Sequence, residues 1–297
     1  MSLIMLLLAN SRRSYADLAE ELDLSVNAVH KRIQQLIEAG VIRKFTAKVS
    51  LLGSNAIVVF VSGISQMNSF QELPAKLKTH GSIYWLAEGG GKFLYIGACL
   101  KSINEIVDLV SYVKKEAGIP EPTVGILASA QFQVAGNFKL ADLSLCDLDY
   151  RIIRSLKDDS RKPISSVATE LGVSSKTIRR RINRMIKNSL IEFGLEWYPD
   201  KSNDIITILD LHLKPEADIS VVPYQILRKY TPNTLFYWCF ANIANIVTYM
   251  VWANSMNELQ NLRKKIEAEQ GVASVVPNIL YTGYMFNTWR DQLVEKS

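Results

Sequence analysis

Apolar residues at Ile178, Ile182, Met185 and Ile186 recur at i, i+4, i+7 and i+8, the period of a helix with one buried stripe. Ser174 precedes the run as a good N-cap, and the spacing predicts a helix ending near Asn188. Two shorter helices come before it. Leu148, Ile152, Ile153 and Leu156 share one face of a helix over about 148–156, broken by Asp159 and Ser160. A second covers 164–171, with Gly172 in a C-cap role. The same design occurs nearer the N-terminus, with Ser25 as cap, Val29, Ile33, Leu36 and Ile37 as stripe, and Gly40 as stop. After each third helix an apolar strand-like run begins (Val41-Ile42; Leu190-Ile191), as in a winged helix-turn-helix.

That likeness is an internal repeat. At an offset of 149, residues 3–45 match residues 152–194 at 12 of 43 positions without a gap, Ser11/Ser160, Arg12/Arg161, Ser25/Ser174 and Arg32/Arg181 among them. A second match follows at offset 153, pairing Tyr84-Trp85 with Tyr237-Trp238 and Ser102-x-Asn104-Glu105 with Ser255-x-Asn257-Glu258. The intervening pattern alternates strand and helix. It predicts β(55–64), α(70–80), β(82–88), β(93–100), α(103–117), β(122–131), then β(205–213), α(222–230), β(234–240), β(245–252), α(256–269), β(272–281). Ser-x-x-Glu at Ser102/Glu105 and Ser255/Glu258 predicts a capping box on the second helix of each set. A βαββαβ order is the ferredoxin-like split unit. The expected fold class is α+β: two winged helix-turn-helix domains (1–45 and 147–200) alternating with two ferredoxin-like domains (46–135 and 201–297), joined by a linker over 136–146.

Composition narrows the function classes. The 297 residues are 48% apolar and 21% charged, an ordinary globular balance with ample core. Cys99, Cys146 and Cys239 form no CxxC pair, so neither a disulfide framework nor a structural zinc site is expected, and the chain reads as cytoplasmic. The apolar stretch from Leu3 to Ala9 is too short to span a bilayer, so no membrane is expected as a partner.

The net charge of +5 is uninformative until it is located. Residues 149–194 hold 11 basic and 5 acidic side chains, more than the whole net excess. A local surplus of this size is the usual footprint of a polyanion-binding surface, with a solvated helical face as the bland alternative. Placing the stripe inward puts Lys176, Thr177, Arg180, Asn183, Arg184 and Lys187 outward, flanked by Arg179 and Arg181. In a helix-turn-helix the N-terminal part of this helix lies in the major groove, which adds Ser174 and Ser175 to the candidate DNA-binding set. Arginine and lysine can address guanine, asparagine adenine, and the remainder phosphates. The corresponding set in the first copy is Asn27, His30, Lys31, Arg32 and Gln34, a polar rather than basic face. Double-stranded DNA is the expected partner, engaged unequally by two heads.

The string Arg13-Ser-Tyr-Ala-Asp-Leu-Ala-Glu-Glu-Leu22, then Leu24-Ser25, Arg32-Ile33-x-x-Leu36 and Gly40-Val41-Ile42, resembles the Lrp/AsnC family of transcription regulators. Asp147-Leu-Asp149 followed by Ile152-Ile153 and Leu156 is similar to that family's first helix, and the βαββαβ part to its RAM effector and oligomerisation domain. The resemblance covers nearly the whole chain, twice. It implies DNA binding as dimers or higher assemblies, a homo-oligomer formed through RAM domains, and an amino acid or other small-molecule effector. The family's turn between RAM strands two and three usually carries Gly and Asp. The first copy has Glu88, Gly89, Gly90, Gly91 and Lys92 there, which are the candidate effector-binding residues. Ala241-Asn-Ile-Ala244 in the second copy keeps neither family residue.

Two rivals stand beside this reading. Sirohaem-type decarboxylases use the same pair of folds, but such chemistry calls for arginines to clamp carboxylates, and residues 46–148 contain none. The three histidines, His30, His80 and His212, are scattered. The other rival is a ligand-sensing scaffold whose first helix-turn-helix no longer binds DNA. The Gly89–Gly91 run precedes a strand rather than a helix, which excludes a phosphate loop. No catalytic set or metal spacing is found, so the chain is expected to be neither an enzyme nor a cofactor protein.

Overall fold

The computed structural model describes residues 2–51, 53–128, 144–202 and 204–295. Its elements run α1 (Ser2–Ala9), α2 (Tyr15–Leu22), α3 (Val26–Glu38), β1 (Ile42–Val49), β2 (Ile57–Ile64), α4 (Leu73–Lys78), β3 (Ile83–Gly89), β4 (Phe93–Leu100), α5 (Ile106–Glu116) and β5 (Thr123–Ile126). The second copy follows as α6 (Asp147–Leu156), α7 (Ile164–Leu171), α8 (Ser175–Lys187), β6 (Ile191–Trp197), β7 (Ile205–Leu213), α9 (Val222–Lys229), β8 (Thr234–Cys239), β9 (Ile246–Ala253), α10 (Met256–Glu267) and β10 (Val272–Met285), with a short α11 (Trp289–Gln292). The element order matches the repeat. Residues 136–143 of the expected linker lie outside the described residues.

The chain folds as two compact units, and each gathers like parts of the two copies. One unit holds residues 1–56, 135–201 and 287–297, the other 57–134 and 202–286. Two expected boundaries therefore move. Residue 45 falls inside β1 rather than at a domain edge, and the tail from residue 287 belongs with the helix-turn-helix parts.

In the helical unit, β1 pairs antiparallel with β6, from Ile42↔Trp197 to Val49↔Ile191. The strand after each third helix thus finds its partner in the other copy. The two cores follow suit. Leu3, Ile4, Leu7, Leu18, Val29, Ile33 and Val41 of copy one pack with Leu195 of copy two. Ile152, Ile153, Leu156, Val167, Ile178, Ile182 and Met185 pack with Ala47 and Val49 of copy one. A lone strand presents an unpaired row of amides and carbonyls, and cross-pairing satisfies both rows at once. The pairing is reinforced at the repeat-equivalent turns. Ser11 Oγ and Ser160 Oγ are 2.6 Å apart and fully buried. Arg161 donates to the Ser11 and Arg13 carbonyls at 2.6 and 3.0 Å, while Arg12 donates to the Ser160 and Lys162 carbonyls. The tail closes the unit: Arg290, 8% exposed, donates to the Val49 carbonyl at 2.6 Å and pairs with Glu192 at 2.9 Å.

In the sheet unit, eight strands run in the order β5-β2-β4-β3-β10-β7-β9-β8. Strand β10 is long enough to pair with β7 over its first half and with β3 over its second, which joins the two βαββαβ halves. Just beyond the outer strands β5 and β8, Leu127 and Phe240 form an antiparallel bridge. One face of the sheet carries two cores, Val59, Leu86, Leu94 and Ile96 against α4 and α5, and Leu209, Leu211, Tyr249 and Val251 against α9 and α10. The other face brings the halves together through aromatic rings, with Phe60 at 4.9 Å from Trp238 and 5.9 Å from Trp85. The capping boxes are shifted by one residue: Glu105 and Glu258 accept from the amides of Lys101 and Asn254, just before their serines.

Candidate nucleic-acid interface

Helix α8 begins where its cap dictates. Ser174 Oγ accepts from the Thr177 amide at 3.1 Å and lies 3.0 Å from Thr177 Oγ1. The buried stripe consists of Ile178, Ile182 and Met185, while Ile186 is 45% exposed. In α3, Val29 and Ile33 are buried and Ile37 is 37% exposed. At about 100° per residue, a side chain eight places on has turned about 80° away from the first, which carries Ile186 and Ile37 off the inward face.

Of the candidate residues, Ser175, Lys176, Arg179, Arg180, Asn183 and Lys187 are exposed. Among the described residues no carboxylate pairs with Lys176, Arg179, Arg180 or Lys187, so one flank of the helix offers four uncompensated cations. Arg181 and Arg184 depart from the expected face. Both turn toward the start of α6, where Arg184 Nη2 lies 2.5 Å and Arg181 Nη1 3.7 Å from Asp149 Oδ2. Asp149 is fully buried, and its carboxylate attracts the neighbouring guanidiniums away from solvent. The same oxygen accepts from the Cys146 amide at 2.9 Å, capping α6. Arg184 also donates to the Ser144 carbonyl at 3.4 Å, and Arg181 approaches Cys146 Sγ at 3.3 Å. In the sequence Asp149 reads as part of a helix start, and a pairing across 35 residues leaves no local signal.

In copy one, Ser25 Oγ caps α3 by accepting from the Ala28 amide at 3.1 Å. Asn27, His30, Lys31, Arg32 and Gln34 are all exposed. His30 meets Tyr15 edge-on at 5.3 Å, and the Arg161 guanidinium lies over the same ring, 4.5 Å from its centroid. Gln35 stands where α8 has Arg184, and Glu38 where it has Lys187. The two heads share a backbone plan and differ in charge.

The candidate effector residues form the turn between β3 and β4. Gly91 and Lys92 have φ of 68° and 62°, left-handed values that glycine adopts freely and lysine rarely. A Cβ on Gly89 would meet Asn278 Oδ1 at 2.6 Å, and that oxygen accepts from the Gly90 amide at 2.6 Å. Lys92 Nζ donates to the Met67 carbonyl at 3.0 Å, and burial raises the Glu88 carboxyl. The Gly90 amide and the Lys92 ammonium are thus engaged within the unit itself. In copy two Asn242 does comparable work, accepting from the Ile126 amide and donating to the Val124 carbonyl, both at 2.8 Å. Among the described residues no cluster of His, Cys, Asp and Glu could hold a metal ion, and no helix is long and apolar enough to cross a membrane.

Comparison with known proteins follows the same division. Residues 3–43 match the model of a winged helix-turn-helix DNA-binding domain, and residues 146–186 that of the AsnC-type helix-turn-helix domain. The HTH-type transcriptional regulator LysM of Sulfurisphaera tokodaii is 30% identical over 112 residues, spanning 36% of this chain and 79% of that protein. An uncharacterised HTH-type transcriptional regulator of Pyrococcus furiosus is 28% identical over 139 residues, 46% of this chain and 91% of its own. Among solved structures, the siroheme decarboxylase NirDL covers 99% of this chain and 97% of its own, with a TM-score of 0.61 and 12% identity, a likeness of fold. Each regulator spans about the length of one copy, and the two helix-turn-helix matches fall one on each copy. The chain therefore belongs to the Lrp/AsnC family of helix-turn-helix transcription regulators, with the family's module present twice.

Proposed function

We propose that the chain is a sequence-specific regulator of transcription that binds double-stranded DNA with both helix-turn-helix parts, α8 supplying most of the phosphate contacts. The observation that carries this reading is the run of exposed, uncompensated cations Lys176, Arg179, Arg180 and Lys187 on a capped third helix. Such a surface gains affinity by releasing counterions from duplex DNA, and Asn183 and the N-terminal residues of α8 stand where base edges would be reached. Because α3 carries a polar face, its half-site is bound through fewer phosphate contacts. The operator is an imperfect palindrome, with half-sites one or more helical turns apart. Selection from a randomised duplex pool tests this directly. An asymmetric two-part site supports it, and a fully symmetric site or no enrichment overturns it.

The family likeness extends the proposal to homo-oligomers formed through the sheet unit, to a cytoplasmic location, and to control by an amino acid or another small molecule. The turn Glu88–Lys92 is the place to test for such an effector, by calorimetric titration of the twenty amino acids.

An enzyme acting on a sirohaem-type tetrapyrrole is the rival, favoured by the whole-chain likeness to siroheme decarboxylase NirDL. Against it stand the absence of arginine from residues 46–148 and the dispersal of the histidines, with His30 on α3, His80 against Tyr112 and His212 exposed on β7. Absorbance titration with sirohaem separates the two, since saturable binding would favour the rival.

A further inference from the structure

We infer that Asp149 is a positioning residue that withholds two arginines of α8 from DNA, and so sets how strongly this head discriminates sequence. The inference rests on the DNA-binding reading above and deepens it. Helix α8 carries six cations, Lys176, Arg179, Arg180, Arg181, Arg184 and Lys187. If all six faced a duplex, most of the binding would come from phosphate attraction, which is blind to base identity. The buried carboxylate of Asp149 prevents this by holding Arg184 at 2.5 Å and Arg181 at 3.7 Å. Those arginines are half-buried, with side chains 33% and 30% exposed. The lock is anchored on both sides. Asp149 Oδ2 also accepts from the Cys146 amide, and Arg184 reaches the Ser144 carbonyl, so the start of α6 and the middle of α8 are tied together.

A buried ion pair is weak evidence for stability as such, because desolvation offsets attraction, and its best-attested use is to fix one arrangement among several. Here the arrangement fixed is the roll of α8 about its axis. Free cations remain on one flank, and the locked ones hold the helix against α6. Copy one has Gln35 at the position of Arg184, so α3 carries no such ion pair there and has less charge to withhold.

The test uses the full chain with Asp149→Asn, Arg184→Gln and Arg180→Gln, each checked for folding by circular dichroism. Elution from a heparin column reads the charge available to any polyanion. Duplex titrations over a range of salt, on a selected site and on random sequence, read the phosphate contacts and the specificity ratio. Arg180→Gln should lower heparin elution and reduce the salt slope by about one, the value for one lost phosphate contact. Arg184→Gln should leave both where they are in the unaltered chain. Asp149→Asn should raise heparin elution, steepen the salt slope by about one to two and narrow the selected-to-random affinity ratio several-fold. The lock is overturned if Arg184→Gln behaves like Arg180→Gln, or if folded Asp149→Asn changes neither slope nor elution. Should Asp149→Asn fail to fold, the contrast between Arg184→Gln and Arg180→Gln decides alone. An unaltered chain that binds heparin but shows no salt-dependent duplex binding would overturn the DNA reading, while the heparin contrast still judges the lock.

Discussion

The hydroxyls of Ser11 and Ser160 hydrogen-bond to each other at 2.6 Å in a fully buried position. They are equivalent residues of the two copies, so their contact marks a local pseudo-twofold axis: only at such an axis can a residue touch its own counterpart. Arg12 and Arg161 exchange equivalent bonds with the opposite turn on either side of it. Fusion has placed inside one chain an interface of the kind that joins two identical subunits.

Removing one hydroxyl at that axis should be worse than removing both. Ser11→Ala or Ser160→Ala leaves a buried hydroxyl without its partner and should cost about 1–2 kcal/mol. The double variant loses both groups together and should cost less than the sum of the singles. Denaturant unfolding analysed as a double-mutant cycle measures the coupling.

Leu195 tests the exchanged strands. It lies in copy two yet packs in the core of copy one. Leu195→Ala should destabilise the unit by about 2–5 kcal/mol, the range for buried leucine truncation. Hydrogen exchange should quicken first in α1, α2 and α3, not in α7. Faster exchange confined to α6–α8 would contradict the exchange.

Replacing Lys176 and Arg180 with alanine should weaken duplex binding strongly and reduce the salt slope by about one for each residue. The corresponding change of Asn27 and Lys31 should cost less affinity and relax one half-site. Fluorescence anisotropy at several salt concentrations reads both.

Asp210 gives a pH prediction for the sheet unit. Burial raises its carboxyl, opposed by the hydrogen bond from Thr248 Oγ1 at 2.6 Å and by His212. A raised carboxyl binds its proton more tightly in the folded state than in the unfolded chain. Stability therefore falls as pH rises from the unfolded value, about 3.9, through the folded one, and the penalty persists at neutral pH. Asp210→Asn keeps an acceptor for Thr248 and removes the charge. It should raise stability at neutral pH and lose that advantage toward pH 3, in thermal melts across pH.

Much of this architecture was legible from periodicity, because the features that produced it are local. Ser174 and Ser25 cap helices through bonds three residues away, and Gly172 adopts φ 67° beside the helix it ends. Strand β7 has its expected span of 205–213 because every second side chain reports one face. What stayed hidden depends on contacts distant in sequence. The strand pairing of β1 with β6, the assignment of residues 287–295 to the helical unit, and the diversion of Arg181 and Arg184 to Asp149 all join segments about 30 to more than 200 residues apart. Hydrophobic pattern says that Ala47 and Val49 are buried, not in whose core. The basic segment is visible in the charge pattern, but nothing there separates the two arginines held by Asp149 from the free ones.

The exchange of β1 and β6 also constrains how such a chain can change over generations. Two tandem copies joined by a simple linker can diverge independently, and one can decay or be deleted without harm to the other. Here each copy finishes its neighbour's interior, so a substitution at Val49 or Leu195 is judged by the other half's packing. The surfaces of α3 and α8 stay free to drift apart in charge, while the frame beneath them is obliged to remain a pair.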